Sequence, residues 1–185
     1  MKLMRQGSRM IYGLKDLCRF IPKDATMVEV GCYRGESTRV WLSEKKVKKL
    51  ICIDVWDLIH YSEKDYYDKD VVQGAEKAFD AVIEGQGVTK IKERSSVALQ
   101  KLIDDGVKID IIYIDGDHSY KAVKNDIALA KKLVRPGGII AGHDLHHPKS
   151  AKAIKEAFDF VDVKFCDASW LKFTSRIRIR VRTGT

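Results

Sequence analysis

The sequence has no hydrophobic run long enough to cross a membrane and no closely spaced pair of cysteines. A membrane-spanning helix needs about 18 to 20 apolar residues in a row, and no segment of the 185-residue chain approaches that length. Residues 1–9 are polar and basic, so we expect no secretory signal peptide. The four cysteines, at 18, 32, 52 and 166, form no C-x-x-C pair. These absences predict a protein of the reducing cytoplasm, with no membrane partner.

The chain also lacks internal repeats, low-complexity tracts and an obvious linker. Hydrophobic residues make up 45% and charged residues 32% of the sequence, which argues against disorder. The length fits one domain with a sizeable core. We therefore expect a single domain over 27–185, preceded by a helical extension over 1–26.

Basic residues outnumber acidic ones by 34 to 26, which gives a net charge of +8. Two interpretations are open: a solvated basic surface, or an affinity for nucleic acid or another polyanion. The one ordered array is at 176–182, where four arginines alternate with apolar residues. This alternation predicts a strand near a sheet edge, where charge blocks unwanted pairing. An anion-binding stripe is the alternative.

Short apolar segments alternate with segments of helical periodicity along the chain. Strands are predicted at 27–31, 50–54, 88–92, 109–114, 139–142, 161–166 and 171–181. Helices are predicted at 11–20, 37–44, 65–84, 97–103, 120–133 and 149–160, with Ser95 or Ser96 as the cap of the fourth. Strands that are apolar on both faces indicate a mostly parallel sheet covered by helices on both sides. The closing strand pair predicts one antiparallel strand at the end. The polar stretch 56–70 is either a mobile lid or a simple connection.

The segment 29–38, EVGCYRGEST, predicts a strand end, a tight glycine-framed turn and the start of a helix. Glycines let a backbone approach a ligand closely, and the helix offers free N–H groups. The carboxylate of Glu29 would repel a pyrophosphate. The turn therefore suits a ligand that carries an amine.

Polar residues follow five of the predicted strands. In open α/β sheets the ligand binds beyond the carboxyl ends of the strands, so these residues should meet in one crevice. Asp54 ends the second strand, where an acid can accept hydrogen bonds from two ribose hydroxyls; a helix cap or loop acid is the alternative. Trp56 could stack on a purine or belong to the core.

The motifs EVGCYRGEST, ICIDVW at 51–56, IDGDHSY at 114–120 and RPGGIIAGHD at 135–144 resemble those of class I S-adenosylmethionine-dependent methyltransferases. The subgroup they resemble includes small-molecule O-methyltransferases and macrocin O-methyltransferase relatives. The similarity runs from about Met27 to Asp144. It implies a Rossmann-like, doubly wound, mostly parallel seven-stranded sheet with an antiparallel last strand.

The resemblance also implies which residues hold S-adenosylmethionine. Glu29 and the turn would hold the methionine part, and Asp54 the ribose. Arg94 and Ser95 lie where adenine contacts are usual. The full predicted set is Glu29, Gly31, Cys32, Tyr33, Gly35, Ser37, Asp54, Trp56, Arg94, Ser95 and Asp115. Tyr33 departs from the commoner motif, in which the middle residue is glycine.

The acidic residues after the fourth and fifth strands could bind a divalent metal ion. In related O-methyltransferases an acid at the position of Asp115 and a pair after the fifth strand bind the ion, which implies a site at Asp115, His143 and Asp144. Oxygen ligands suit magnesium, while the histidine favours manganese, iron or zinc. The metal-free alternative uses His118 or His143 as the general base, oriented by Asp115 or Asp117. A third interpretation is that Asp115 and His118 only order the loop. His146 and His147 are expected to be structural.

The sequence thus predicts methyl transfer from S-adenosylmethionine to a hydroxyl of a small molecule such as a sugar or natural product. An RNA-directed methyltransferase is the second hypothesis, motivated by the charge; the segment after the fourth strand lacks the Asn/Asp-Pro-Pro-aromatic motif of amino-directed enzymes. A non-catalytic cofactor-binding or assembly protein is the third. Little sequence precedes Met27 to cover the crevice, so we expect that a second subunit, in a homodimer, could complete it.

Overall fold

Seven strands and six helices alternate in the part of the chain that the computed structural model describes, residues 8–56 and 69–175, with side chains described for 11–56 and 74–175. The helices are α1 (Ser8–Cys18), α2 (Glu36–Ser43), α3 (Lys69–Ile83), α4 (Ser95–Asp104), α5 (Tyr120–Leu133) and α6 (Pro148–Phe158). The strands are β1 (Ala25–Val30), β2 (Val47–Asp54), β3 (Thr89–Lys92), β4 (Ile109–Ile114), β5 (Val134–Gly142), β6 (Val163–Lys164) and β7 (Trp170–Phe173).

The strands form one sheet in the order β3-β2-β1-β4-β5-β7-β6. The first five are parallel to their neighbours, while β7 is antiparallel to both β5 and β6. The chain moves outward from β1 in one direction and then returns to continue from β4 in the other. This is the Rossmann-like, doubly wound sheet with an antiparallel last strand that the sequence predicted.

Helices cover both faces of the sheet because the central strands are apolar on both sides. On one face α4, α5 and α6 pack on side chains such as Val28 and Ile112. On the other, α1, α2 and α3 pack on the alternate side chains, such as Met27 and Ile111. Within the described residues, no helix is both long and apolar enough to span a membrane.

Three local predictions were wrong, and two others fall outside the described residues. Strand β5 begins at Val134, so the Arg-Pro-Gly-Gly segment belongs to the strand; an irregularity in its pairing with β4 accommodates Gly137 at a φ of 82°. Helix α4 begins with Arg94 as its N-cap, without a side-chain hydrogen bond. Strand β7 ends at Phe173. The arginine array at 176–182 and residues 57–68 of the predicted lid lie outside the described residues.

Candidate functional site

The residues that follow three neighbouring strands lie side by side at the carboxyl edge of the sheet. The backbone N–H groups of Gly31, Asp115 and His143 each donate to a carbonyl at the end of the adjacent strand, at 2.9, 2.8 and 3.0 Å. Each bond extends the pairing of the strands by one residue beyond the regular sheet. The ends of β1, β4 and β5 are therefore held in fixed register where the predicted site residues lie.

At Gly31 the turn after β1 packs closely against the loop after β4. Its φ is 84°, and a Cβ built on it would lie 2.0 Å from the carbonyl oxygen of Asp115. Only glycine tolerates both the left-handed conformation and this approach. The close contact brings the glycine turn directly against the acidic residues of the next loop.

Asp54 holds the turn in shape from the end of β2. Its Oδ2 accepts hydrogen bonds from the backbone N–H groups of Cys32 and Tyr33, both at 2.8 Å, and its Oδ1 accepts from that of Trp56 at 3.0 Å. Tyr33 has a φ of 47°, so it adopts the conformation that the commoner glycine would supply. Asp54 thus has a role in the structure that the comparison with dinucleotide folds did not reveal.

Trp56 belongs to the core rather than to an open surface. Its indole N–H donates to the carbonyl of Tyr33 at 2.8 Å, and its ring centroid lies 4.7 Å from that of Phe79. Only 6% of the residue is exposed. Of the two interpretations open from the sequence, the structure favours the core residue over the purine platform.

Glu29 lies beneath the turn and is fully buried. Its carboxylate accepts hydrogen bonds from the hydroxyls of Ser37 and Thr38 (2.6 Å for Thr38) and from the indole of Trp41 at 3.0 Å. Burial raises the pKa of Glu29, and these hydrogen bonds oppose the rise. In this structure the carboxylate therefore anchors α2 to β1, instead of facing an open cradle as the sequence suggested.

Helix α2 begins directly at the turn, with Gly35 as its N-cap at a φ of 84°. Glycine offers no side chain, so none caps the first N–H groups of this helix. Together with the positive end of the helix dipole, these groups suit a carboxylate. The turn therefore fits the amino-acid part of S-adenosylmethionine through backbone donors.

Arg94 and Ser95 follow β3 at the start of α4. Arg94 is exposed. Ser95 is half-buried, and its hydroxyl donates to Asp126 of α5 at 2.8 Å. Ser95 is therefore used to satisfy a buried carboxylate rather than to cap its own helix, which is why the predicted cap is not found.

Four titratable side chains meet after β4 and β5. His118 Nδ1 lies 2.5 Å from Asp144 Oδ2, and His143 Nδ1 lies 3.2 Å from Asp144 Oδ1 and 3.7 Å from Asp115 Oδ1. Asp144 has a φ of 58°, in the left-handed region, and so turns its carboxylate between the two imidazoles. We call Asp115, His118, His143 and Asp144 the acid–histidine cluster.

Burial and the contacts within the cluster shift the pKa values of Asp115, His143 and Asp144. Burial raises the pKa of Asp115 to about 7, although His143 acts to lower it. Burial alone would lower the pKa of His143, but its bond to Asp144 and the two nearby carboxylates raise it to about 9. For Asp144, the hydrogen bonds from the two histidines outweigh burial and hold the pKa well below its usual range. The raised pKa favours the protonated form of His143 at neutral pH, which disfavours this residue as a general base there.

Polar residues next to the cluster order the loop after β4 and cap α5. Asp117 is exposed and accepts from the N–H of Ser119 at 2.8 Å. Ser119 is the N-cap of α5 and accepts from the N–H of Ala122 at 3.3 Å. The residue that caps α5 is therefore Ser119, and not Asp115 or His118. His147 is the N-cap of α6, without a side-chain hydrogen bond to the helix, and His146 is exposed. Their structural roles stay predictions.

The turn between β6 and β7 supports His143, a role that the sequence did not reveal. The carbonyl of Asp167 lies 2.7 Å from His143 Nε2, and the indole of Trp170 donates to the carbonyl of His143 at 3.0 Å. Ser169 is buried and donates to the Asp167 carboxylate at 2.9 Å. Nothing in the sequence specifies which residues of a hairpin turn reach a neighbouring strand, so this support could be found only in the structure.

The donor atoms of the cluster fit a divalent cation. Asp115, His118 and Asp144 each offer one ligand atom, and these atoms lie within 4.8 Å of one another. His118 therefore completes the compact group in place of His143, which the sequence had suggested. Two carboxylates and one imidazole suit manganese or a similar ion better than magnesium, which prefers oxygen.

A second group of ligand atoms, on Glu29, Cys32 and Cys52, lies within the core beneath the turn. All three residues are buried, and Glu29 is already engaged by α2. Burial raises the pKa of the Cys32 thiol well above its ordinary value, so it stays protonated. A protonated thiol is a poor metal ligand, so this group is better explained as part of the core.

The sequence matches the profile of a family described as "Methyltransferase domain" over residues 28–145. A relative from Acanthamoeba polyphaga mimivirus, the uncharacterized protein R132, is 36% identical over 127 residues. This match covers 68% of the present chain but only 53% of the relative, so the chain spans about half the length of that protein.

Solved structures with a similar fold include known O-methyltransferases. An O-methyltransferase from Bacillus cereus in complex with SAH has a TM-score of 0.62 at 15% identity, covering 90% of this chain and 80% of that one. CalS11, a TDP-rhamnose 3'-O-methyltransferase of calicheamicin biosynthesis, has a TM-score of 0.62 at 12% identity, covering 89% and 78%. At these identities the likeness shows a shared fold.

Proposed function

Because this chain belongs to the family of methyltransferase domains that its residues 28–145 match, we propose that it transfers a methyl group from S-adenosylmethionine to a hydroxyl of a small molecule. The observation that carries the proposal is the contact between Gly31 and the Asp115 carbonyl. It brings a turn suited to the methionine part of the donor against a cluster suited to activating a hydroxyl.

The turn at 31–35 and the start of α2 would hold the donor, whose sulfonium supplies a reactive methyl group. The backbone donors that follow Gly35 suit its carboxylate. Asp54 would hold the ribose, and its hydrogen bonds to the N–H groups of Cys32 and Tyr33 also fix the shape of the turn. Direct contact of Glu29 with the donor amine remains a prediction, as do the adenine contacts of Arg94 and Ser95.

His118 is the residue best placed to accept the proton of the hydroxyl. Asp144 accepts from Nδ1 of this histidine at 2.5 Å, which orients the ring and directs Nε2 away from the carboxylate. Asp115 carries a pKa near 7 and can hydrogen-bond the hydroxyl in either protonation state. His143, charged and fixed by Asp167, would stabilise the negative charge that develops on the oxygen.

If a divalent cation binds, Asp115, His118 and Asp144 would hold it, and it would lower the pKa of a coordinated hydroxyl as a Lewis acid. His118 cannot then serve as the base, so the two schemes differ in their need for metal. Activity that survives chelation would favour His118 as the base. Activity lost on chelation and restored by manganese would favour the metal.

The first test measures donor binding and turnover separately. Calorimetry with S-adenosylmethionine and S-adenosylhomocysteine should show binding to the wild-type chain and to Asp115→Ala. Methyl transfer, assayed over a panel of hydroxylated metabolites with and without manganese, should be abolished in Asp115→Ala. The matched control is Asp105→Ala, an exposed acid at the end of α4 and away from the cluster, which should keep both properties. Absence of binding to the wild-type chain would overturn the proposal.

The support for the O-directed small-molecule acceptor is the cluster itself together with the resemblance of the motifs to O-methyltransferases. An RNA acceptor is the second candidate, favoured by the exposed lysines of α5 and α6, the helices that follow the two loops of the cluster. A purely non-catalytic role would not explain the acid–histidine cluster. That a second subunit covers the crevice, and that the protein is cytoplasmic, remain predictions.

A further inference from the structure

Helices α5 and α6 present a continuous row of lysines to solvent. The exposed lysines are Lys121, Lys124, Lys131, Lys132, Lys149, Lys152 and Lys155. In α6 they recur every three residues; in α5, Lys121 and Lys124 are three residues apart, and Lys131 and Lys132 follow two turns later on the same side of the helix. We call these seven residues the lysine face. Within the two helices the exposed acid is Glu156, since Asp126 is buried in the core.

Contacts between the helices show that the two rows form one surface. Lys124 of α5 pairs with Glu156 of α6 at 3.0 Å. The ammonium groups of Lys124 and Lys152 lie 5.2 and 5.1 Å from the centre of the Tyr120 ring. Lys131 reaches across to the carbonyl of Ala157. The lysines of both helices therefore belong to a single strip about 20 Å long, the length of α5.

On the opposite face of the sheet, two lysines of β3 are paired with acids of α3. Lys90 pairs with Glu76 at 2.7 Å and with Asp80 at 2.6 Å. Lys92 pairs with Glu76 as well, at 2.5 Å. These two lysines are thus offset by acids of α3, whereas α5 and α6 together carry seven exposed lysines and one exposed acid.

The lysine face begins beside the acid–histidine cluster. Helix α5 follows the loop that carries Asp115 and His118, and α6 follows the loop that carries His143 and Asp144. Ser150 in the first turn of α6 donates to the carbonyl of His118 at 3.4 Å. A polymer lying along this strip would therefore extend to the carboxyl edge of the sheet.

We propose that the lysine face binds the phosphate backbone of a nucleic acid. Lysines are point charges on flexible chains, so they suit repeated phosphates without reading base identity. Binding of this kind depends on salt and not on sequence. The inference does not depend on the proposed methyl transfer, because binding can be measured without S-adenosylmethionine and without a methyl acceptor.

The test uses fluorescence anisotropy with labelled, mixed-sequence probes of roughly 20 nucleotides, one a single-stranded RNA and one a DNA duplex. The full chain should bind both, with an affinity that falls steeply as salt rises. The variant Lys121→Gln, Lys149→Gln, Lys152→Gln should lose about tenfold or more in affinity at low salt. Its salt slope should decrease by about 2 to 3, one step for each lost phosphate contact.

The matched control is Lys45→Gln, Lys48→Gln, Lys49→Gln, which removes the same charge at the start of β2 and in the turn before it. These lysines are exposed and lie toward the amino edge of the sheet. The control should keep its affinity within about twofold. Equal losses in both variants would show that net charge alone attracts the probes, and this would overturn the proposal. The absence of salt-dependent binding by the wild-type chain would also overturn the proposal. The comparison of the two variants requires that both have the circular dichroism and thermal stability of the wild type.

Discussion

The Nε2 atom of His143 lies 2.7 Å from the backbone carbonyl oxygen of Asp167. A carbonyl only accepts, so this nitrogen carries a proton, and Nδ1 is the atom that faces Asp144 and Asp115. The turn between β6 and β7 thus determines how the imidazole is presented to the cluster. With both carboxylates beside Nδ1, the ring is protonated there as well at neutral pH.

The first prediction is that stability decreases as the pH rises from about 6.5 to about 9. The folded-state pKa of His143, about 9, lies above the ordinary value of 6.5, so the folded protein binds this proton more tightly than the unfolded chain does. The resulting stabilisation is fully present below pH about 6.5 and is lost through pH about 9; it amounts to about 1 to 3 kcal/mol. Urea unfolding of the wild-type chain at several pH values measures the slope.

His143→Gln should lose most of this slope because it has no titrating ring. The control His146→Gln changes an exposed histidine nearby and should keep the wild-type slope. A His143→Gln variant that retains the full pH dependence would show that other groups produce it.

The second prediction concerns Glu29 as the anchor of α2. In Glu29→Gln, the amide NH₂ would face hydroxyl and indole donors that now point at a carboxylate, so at least one buried hydrogen bond is lost. We expect the free energy of unfolding to fall by about 1 to 3 kcal/mol. Chemical denaturation measures this loss, and calorimetry on the folded variant measures the affinity for S-adenosylmethionine.

Thr38→Val is the matched comparison, since it removes one donor and keeps the shape and the carboxylate. It should destabilise the protein less than Glu29→Gln. Unchanged stability in Glu29→Gln, together with a large loss of donor affinity, would instead support the direct contact with the donor amine that the sequence suggested.

The sheet and the location of the site could be predicted from the sequence because they depend on periodicity and on strand ends. Strand β4 (Ile109–Ile114) and helix α5 (Tyr120–Leu133) have the predicted bounds. The carboxyl edge brings Asp115 and Asp144 together as predicted, because residues that follow adjacent parallel strands must be neighbours.

The partners of the site residues could not be predicted in the same way. Trp41 lies twelve residues from Glu29, and Asp167 lies twenty-four residues from His143. These pairs depend on how a helix or a hairpin turn packs on the sheet, which is a property of the tertiary structure. The same reason explains why Ser95 bonds Asp126 of α5 instead of capping α4.

The third prediction concerns the effect of the buried Asp126 carboxylate on stability. Burial raises the pKa of Asp126 from 3.8 to about 6, so the charged form is less favourable in the folded protein than in the unfolded chain. The contribution of Asp126 to the free energy of unfolding should therefore be highest below pH about 4 and should fall as the pH rises through about 6. Asp126→Asn keeps an acceptor for the Ser95 hydroxyl and removes the charge. We expect it to raise the melting temperature at pH 7.5.

The size of the gain from Asp126→Asn should be about 1 to 3 kcal/mol at pH 7.5 and close to zero near pH 4. Asp105→Asn, at an exposed position after α4, is the control for a simple change of net charge. A gain of the same size at both pH values, or the same gain in the control, would contradict the assignment to burial of Asp126.

The fourth prediction separates backbone strain from steric clash at the turn. Gly31 and Gly137 have nearly the same φ, 84° and 82°, but only at Gly31 would a Cβ meet another atom, the Asp115 carbonyl oxygen at 2.0 Å. Gly137→Ala should therefore lose only the cost of a left-handed alanine, about 1 to 2 kcal/mol. Gly31→Ala must also push β1 away from the loop after β4, so we expect a loss above about 3 kcal/mol or a failure to fold.

Denaturant unfolding compares the two alanine variants, and calorimetry tests any folded Gly31→Ala protein for binding of S-adenosylmethionine. Such a protein should bind the donor weakly, because the turn can no longer lie against Asp115. Gly137→Ala should bind it as the wild type does, since Gly137 lies in β5 at the other end of the strand from His143. Equal destabilisation in the two variants would mean that the backbone conformation, and not the contact with Asp115, makes glycine necessary at position 31.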